Sequence, residues 1–249
     1  EHIMEDAIGS KIDDYLIKPL NPNQILLSVK KILDNKRLVT EKTTSNYQQQ
    51  FRMLAMQYQD RIGYEEWAEI YKKLIYWELE LNESDDEGMA EVFKMQKSEA
   101  NANFSKFIEE EYENWLNDPK ADKPILSHQI LKQKVFPYLK ESSDPVFFLL
   151  IDNFRYDQWK VIQSILQEYF TIEEESAYYS ILPTTTGYAR NAIFAGLMPS
   201  EIERKYPQWW ASDENVPDGE EGLNNYEFDL LKKQLEWNRL SIKSSYNKI

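Results

Sequence analysis

Three consecutive threonines, Thr184 to Thr186, follow the apolar run AYYSIL and Pro183, and Gly187 opens an apparent helix directly after them. Earlier in the chain, Asp152 closes a second apolar run, VFFLLI. In open parallel sheets ligands collect outside the carboxyl ends of strands, so if these two runs are neighbouring strands, a carboxylate and a threonine hydroxyl converge at one sheet edge. A threonine hydroxyl is a weak nucleophile until a metal or a base activates it, and an aspartate oxygen suits zinc, magnesium or manganese. Gly187 lets a phosphate approach the backbone, and the helix starting there points free N–H groups at the same place. Arg190 lies one turn beyond Thr186 and can reach an anionic substrate on that face. An ordinary reading stands beside this one, since a threonine before a helix caps it and an aspartate after a strand caps the next helix. Spacing alone leaves both open.

The elements that would position these residues alternate in type from about residue 121 onward. The pattern predicts helices over Ser127 to Lys140, Arg155 to Glu168, Gly187 to Ala195 and Asn225 to Trp237, with strands over Val146 to Ile151, Ser176 to Leu182 and a possible last one at LSIKSSY. VFFLLI is apolar on both faces, as a central parallel strand covered by helices must be. NDPKADKP, over 117 to 124, is the clearest linker. Before it, from about Arg37 to Asn117, Gly and Pro are nearly absent and apolar residues recur at helical spacing in three blocks. These predict three long helices, the first near Lys36 to Arg61, with breaks at Ile62-Gly63 and Asn82-Glu83-Ser84 and Ser84 as a cap. Trp67, Trp77 and Trp115 read as bundle core. At the start, IDDYLIKP reads as a strand stopped by Pro19, and NPNQILLSVKKIL as a helix capped by Asn21 with Pro22 at its first position.

The chain has 43 Asp and Glu against 29 Lys and Arg, a net charge of -14, and no basic block that could follow a phosphate backbone. Duplex DNA binding is therefore disfavoured, although local groups can still reverse the field at a phosphate site. With no cysteine there is no disulfide, thiolate site or cysteine nucleophile, which fits the cytoplasm. No apolar run approaches the roughly 20 residues of a membrane span. The opening EHIMEDAIG reads like the middle of a helix, and the short βα unit behind it is too small to fold alone, so the chain is expected to be part of something longer. KYPQWW and the acidic stretch after it have the makings of a substrate lid, with Trp209 and Trp210 able to stack on bases or to pack a loop onto the core.

The run PTTTGYARNAIFAGLMP resembles the nucleophile segment of the alkaline phosphatase superfamily, in which a Pro-Thr-x-Thr strand end precedes a helix closed by Gly-Leu-x-Pro. On that pattern Thr186 takes the nucleophile position, with Thr185 as the alternative, and Asp152 the first metal-ligand position. LLIDNFRYDQW is similar to the PglZ-type branch. DDYLIKPLNP resembles the fifth strand of a response-regulator receiver, which puts Lys18 in the phosphate-sensing role and Tyr15 in the switch aromatic position.

A receiver, a helical bundle and a PglZ-type domain in that order resemble the PorX-like response regulators associated with type IX secretion. The resemblance implies an α/β protein with an all-α middle: the end of a receiver over 1–35, a three-helix bundle over 36–120, and the first part of an alkaline-phosphatase-like parallel-sheet domain over 121–249. It implies an output that is a zinc-dependent phosphodiesterase or phosphatase with two ions, acting on cyclic or linear oligonucleotides. It also implies a sensor histidine kinase as partner, secretion-system or sigma-factor partners, and homodimerisation on phosphorylation. On this pattern the phosphoacceptor aspartate is expected before Glu1 and the remaining metal ligands after Ile249, while His2 and His128 are placed as neither. The alternative is a non-catalytic signalling module whose pocket binds a nucleotide or a partner.

Overall fold

The computed structural model describes residues 16, 18, 22–84, 86–141, 144–210 and 224–248 of the 249-residue chain. Tyr15, His2, Asn21, most of the first predicted strand and the acidic part of the predicted lid lie outside the described residues. The chain divides into two compact units, Glu1–Asn114 and Trp115–Ile249.

The first unit is helical. Helix α1 spans Pro22–Gln57, α2 spans Tyr64–Ser84, and α3 spans Glu87–Asn117 and ends in the second unit. The helix predicted after Asn21 and the first bundle helix are one continuous 36-residue element, because Asp34-Asn35-Lys36-Arg37 contains no residue that breaks a helix. Its first turns expose Leu26, Leu27 and Leu33, whereas Tyr47 and Leu54 farther along are buried. Together with Tyr58, Trp67, Ile70, Leu74, Trp77, Leu81, Phe93 and Ala100 they form the core. Tyr47 sits at its centre, its ring centroid 5.4 Å from Trp77 and 5.8 Å from Phe93. Burial of a tyrosine requires a partner for its hydroxyl. Tyr47 donates to Gln96 Oε1 at 2.8 Å, and Gln96 Nε2 donates to the Phe51 carbonyl at 2.9 Å. Burial pushes the Tyr47 phenol up, so it stays a neutral donor. Asp86 caps α3, accepting from the Met89 N–H at 3.1 Å and from the Thr44 hydroxyl at 2.8 Å.

The second unit keeps the predicted helices but differs where strands were predicted. Residues Ser127 to Glu141 form a 3-10 turn (Ser127–Gln129), a π turn (Leu131–Val135) and α4 (Phe136–Glu141) instead of one regular helix. Pro137 explains the break, since it lacks an N–H and its ring clashes with the carbonyl four residues back. Then follow α5 (Tyr156–Leu166), α6 (Thr186–Ala195), α7 (Pro199–Lys205), a 3-10 turn (Pro207–Trp209) and α8 (Glu227–Trp237). Segments 146–151, 171–182 and 240–248 form no ladder, and no strand occurs among the described residues. The one trace of sheet pairing described is a parallel bridge between Leu126 and Tyr179. A parallel strand is defined by partners on its edges, and segment 146–151 has none among the described residues; Phe147 and Leu149 are 83% and 81% exposed.

Packing nonetheless fixes both segment ends. The buried Ser127 hydroxyl accepts from the Ile181 N–H at 3.0 Å, and the Ile125 carbonyl accepts from Tyr179 N–H at 2.9 Å. Leu150 packs against both apolar clusters of the unit, one around Phe194, Ile202 and Leu230, the other around Leu131, Phe136, Ile193 and Leu235. Trp115 packs edge-on against Tyr179 at 5.4 Å, so it serves this unit and not the bundle core. No described helix is long and apolar enough to cross a membrane.

Candidate functional site

The residues following two apolar segments meet in the second unit. Asp152 stands two residues beyond the anchored Leu150, and Asn153 follows it at φ 54, a left-handed conformation that asparagine accepts more readily than most residues. The turn lets the Asn153 N–H donate to Asp152 Oδ1 at 3.1 Å, leaving Oδ2 for other partners. Thr186 is the first residue of α6 and Thr185 its N-cap, yet no side-chain cap bond is made there. The Thr185 carbonyl instead accepts from Tyr188 and Ala189 N–H groups at 3.0 and 2.9 Å, and Thr184, Thr185 and Thr186 are all exposed. The hydroxyls are therefore open to a ligand.

Thr186 Oγ1 donates to Asp152 Oδ2 at 3.4 Å, and Arg190 Nη1 approaches the same oxygen at 3.4 Å. Both contacts are longer than a usual hydrogen bond, so two donors converge loosely on one carboxylate oxygen. Asp152 is half exposed at 52%, while the Arg190 side chain is 17% exposed. The inner edge of the guanidinium holds Glu227, which sequence reasoning missed: Arg190 Nη2 donates to Oε2 at 2.9 Å, and Nε forms an ion pair with Oε1 at 2.9 Å without hydrogen-bond geometry. Burial alone would pull Arg190 down, but the bond and charge of Glu227 hold it above its ordinary value. Tyr246 also donates to Glu227 Oε2, and burial with that bond pushes its phenol up to about 12.

Glu227 begins α8, where a sequence shows only an acidic first turn that complements the helix dipole. Its burial comes from α8 packing on α6, and that is invisible locally. Contact between these helices is close at Gly196, φ 65, where a Cβ would stand 2.0 Å from Gln234 Nε2. Lys18 is exposed in a bend of the first unit. His128 is in the second unit, and burial lowers its basicity. Trp209 and Trp210 pack inward, with Tyr206 stacked on Trp209 at 4.9 Å and Tyr188 edge-on to Trp210 at 5.4 Å.

Asp152 Oδ2 and Thr186 Oγ1 are two oxygen donors of the kind a metal ion takes. Among the described residues no group of three or more His, Cys, Asp or Glu comes together to hold a metal ion, and these two oxygens alone do not make a metal centre. A cavity of about 550 Å³ lies elsewhere, lined by residues including Ile125, Ile130, Tyr138 and Tyr178. Its Lys134 is already ion-paired to Glu174, and none of its lining residues belongs to the threonine site, which the side-chain geometry identifies better than cavity size does.

Residues 37–116 match the PorX response regulator linker domain, and residues 130–249 match the BREX system PglZ alkaline phosphatase-like domain. The chain matches no curated protein. The first match covers the later part of α1, all of α2 and nearly all of α3; the second contains Asp152, Thr186, Arg190 and Glu227. With a response-regulator linker followed by an alkaline phosphatase-like domain, the chain has a PorX-like architecture, one that fits a response regulator with a phosphatase-like output.

Proposed function

We propose that the chain belongs to a two-component response regulator whose output is a metal-dependent phosphodiesterase or phosphatase, with Thr186 as nucleophile. The observation that carries this is the convergence of the Thr186 hydroxyl and Arg190 Nη1 on Asp152 Oδ2, each at 3.4 Å, within the segment that matches the alkaline phosphatase-like domain. Thr186 Oγ1 attacks phosphorus and loses its proton to solvent, as the bond from phosphorus to the leaving oxygen breaks and the leaving group departs with a proton from water. Water then hydrolyses the phosphothreonine. Arg190 presents Nη1 to the non-bridging oxygens, where negative charge is carried. Zinc, when bound, lowers the pKa of the hydroxyl and screens that charge; Asp152 and Thr186 are the residues here that would hold part of it.

In this reading 1–35 belong to the receiver, with Lys18 and Tyr15 in its sensing and switch positions, 36–120 form the linker, and 121–249 begin a parallel-sheet output domain. The partner is a sensor kinase, phosphorylation promotes a homodimer, and the setting is the cytoplasmic control of type IX secretion through secretion-system or sigma-factor partners. The substrates are cyclic or linear oligonucleotides.

The test is hydrolysis of a chromogenic phosphodiester by the intact protein with added zinc. Thr186→Ala and Asp152→Ala are each expected to lower kcat/KM by about a thousandfold or more without loss of the folded state. Activity unchanged in Thr186→Ala moves the role to Thr185. A folded wild type inactive with zinc, magnesium and manganese rejects the enzyme and leaves a nucleotide-binding signalling module.

A further inference from the structure

Glu227 has 0% exposure in a chain that already carries a net charge of -14. A buried carboxylate persists only where opposite charge and hydrogen bonds replace its lost water. Its partners are the Nε and Nη2 edge of Arg190 and the Tyr246 hydroxyl. That leaves Nη1, which emerges beside Asp152 Oδ2. A guanidinium is rigid and planar, so holding Nε and Nη2 sets the direction of Nη1. Both ends of this pair stand on helices packed against one another: Arg190 on α6 and Glu227 at the start of α8, with Gln234 of α8 donating to the Ile193 carbonyl of α6 at 3.5 Å.

We propose that Glu227, assisted by Tyr246, is a positioning residue that fixes Arg190 with Nη1 presented to the phosphoryl oxygens at Thr186. This rests on the phosphatase-like reading of the same site. Without the Glu227 charge, the guanidinium is free to turn a two-nitrogen edge onto Asp152 and close a bidentate pair there. The donor is then withdrawn from the substrate. Tyr246 limits the motion from the other side, because its hydroxyl and Arg190 share Glu227 Oε2.

The experiment uses the intact protein with zinc and two readouts: calorimetric affinity for inorganic phosphate, and KM and kcat on the chromogenic diester. Glu227→Gln is expected to weaken phosphate binding and raise KM about tenfold, and Tyr246→Phe about threefold, as supporting residues commonly do. In an Arg190→Ala background neither change has a further effect, which a merely structural role does not predict. Thermal melts identify folded variants; if Glu227→Gln does not fold, Tyr246→Phe, which removes one hydroxyl, carries the comparison. Wild-type phosphate affinity and KM in the folded variants overturn the proposal, as do effects that persist undiminished without Arg190. Phosphate binding that depends on Glu227 in a protein with no turnover supports the anchor and overturns the phosphatase reading. Turnover that needs Thr186 but ignores Glu227 overturns the anchor alone.

Discussion

Asp152 meets solvent and Glu227 does not, and Arg190 spans the difference with one planar group. The outer carboxylate is free to exchange partners, while the inner one is committed. Asp152, Thr186 and Arg190 were legible in the sequence because each stands at or near the end of an apolar run or the start of a helix. Glu227 and Tyr246 were not, since their roles come from burial and from contacts spanning 37 residues of chain between Arg190 and Glu227. A second residue-scale consequence concerns His128, which burial keeps below its ordinary value of 6.5 despite nearby Glu201, with Lys123 adding to the depression. The unfolded chain then binds a proton that the folded chain resists, so stability rises with pH across that window. Stability is expected to be lost as pH falls below about 6.5. Urea titrations at several pH values check this, and His128→Gln should flatten the dependence; an equal slope in both proteins would refute it.

At the scale of elements, helices were readable and sheet pairing was not. Gly- and Pro-poor stretches with helical periodicity became α1 to α3 directly, because that information is local. Pairing is not local: VFFLLI announces a buried strand, but only neighbouring edges make one, and among the described residues it forms no ladder. The fusion of two predicted helices into α1 has the same origin, since periodicity marks faces more surely than ends. The turn closing α6 is a place where one residue decides the geometry. Gly196→Ala must hold φ 65 and push its Cβ to within 2.0 Å of Gln234 Nε2 and 2.9 Å of its Cγ. A loss of about 2 kcal/mol is expected from the backbone strain alone. Chemical denaturation should show it, and Gln234→Ala in the same protein should recover only the part due to the clash. Full stability of the single variant would contradict this account.

For the whole molecule, both units leave apolar residues uncovered, with Leu26, Leu27, Met56 and Met95 exposed in the first. In the second, Phe147, Leu149, Tyr169 and Phe170 are each at least 67% exposed. Scattered exposed hydrophobics are common, but this many aromatic and aliphatic side chains in one unit mark association surfaces. The 249-residue chain is expected to self-associate with rising concentration in sedimentation velocity, and Phe147→Asp with Leu149→Asp to reduce it; a monomer at all concentrations would refute this. Inside the first unit, Gln96 at 1% exposure is bonded to both Tyr47 and the Phe51 carbonyl of α1. Sliding α3 along α1 by a single residue, about 1.5 Å, would strand all of these polar atoms in the interior at once. Tilting the two helices together strands none. The two helices are therefore locked in register, so any motion of the bundle carries α1 and α3 together and not past one another.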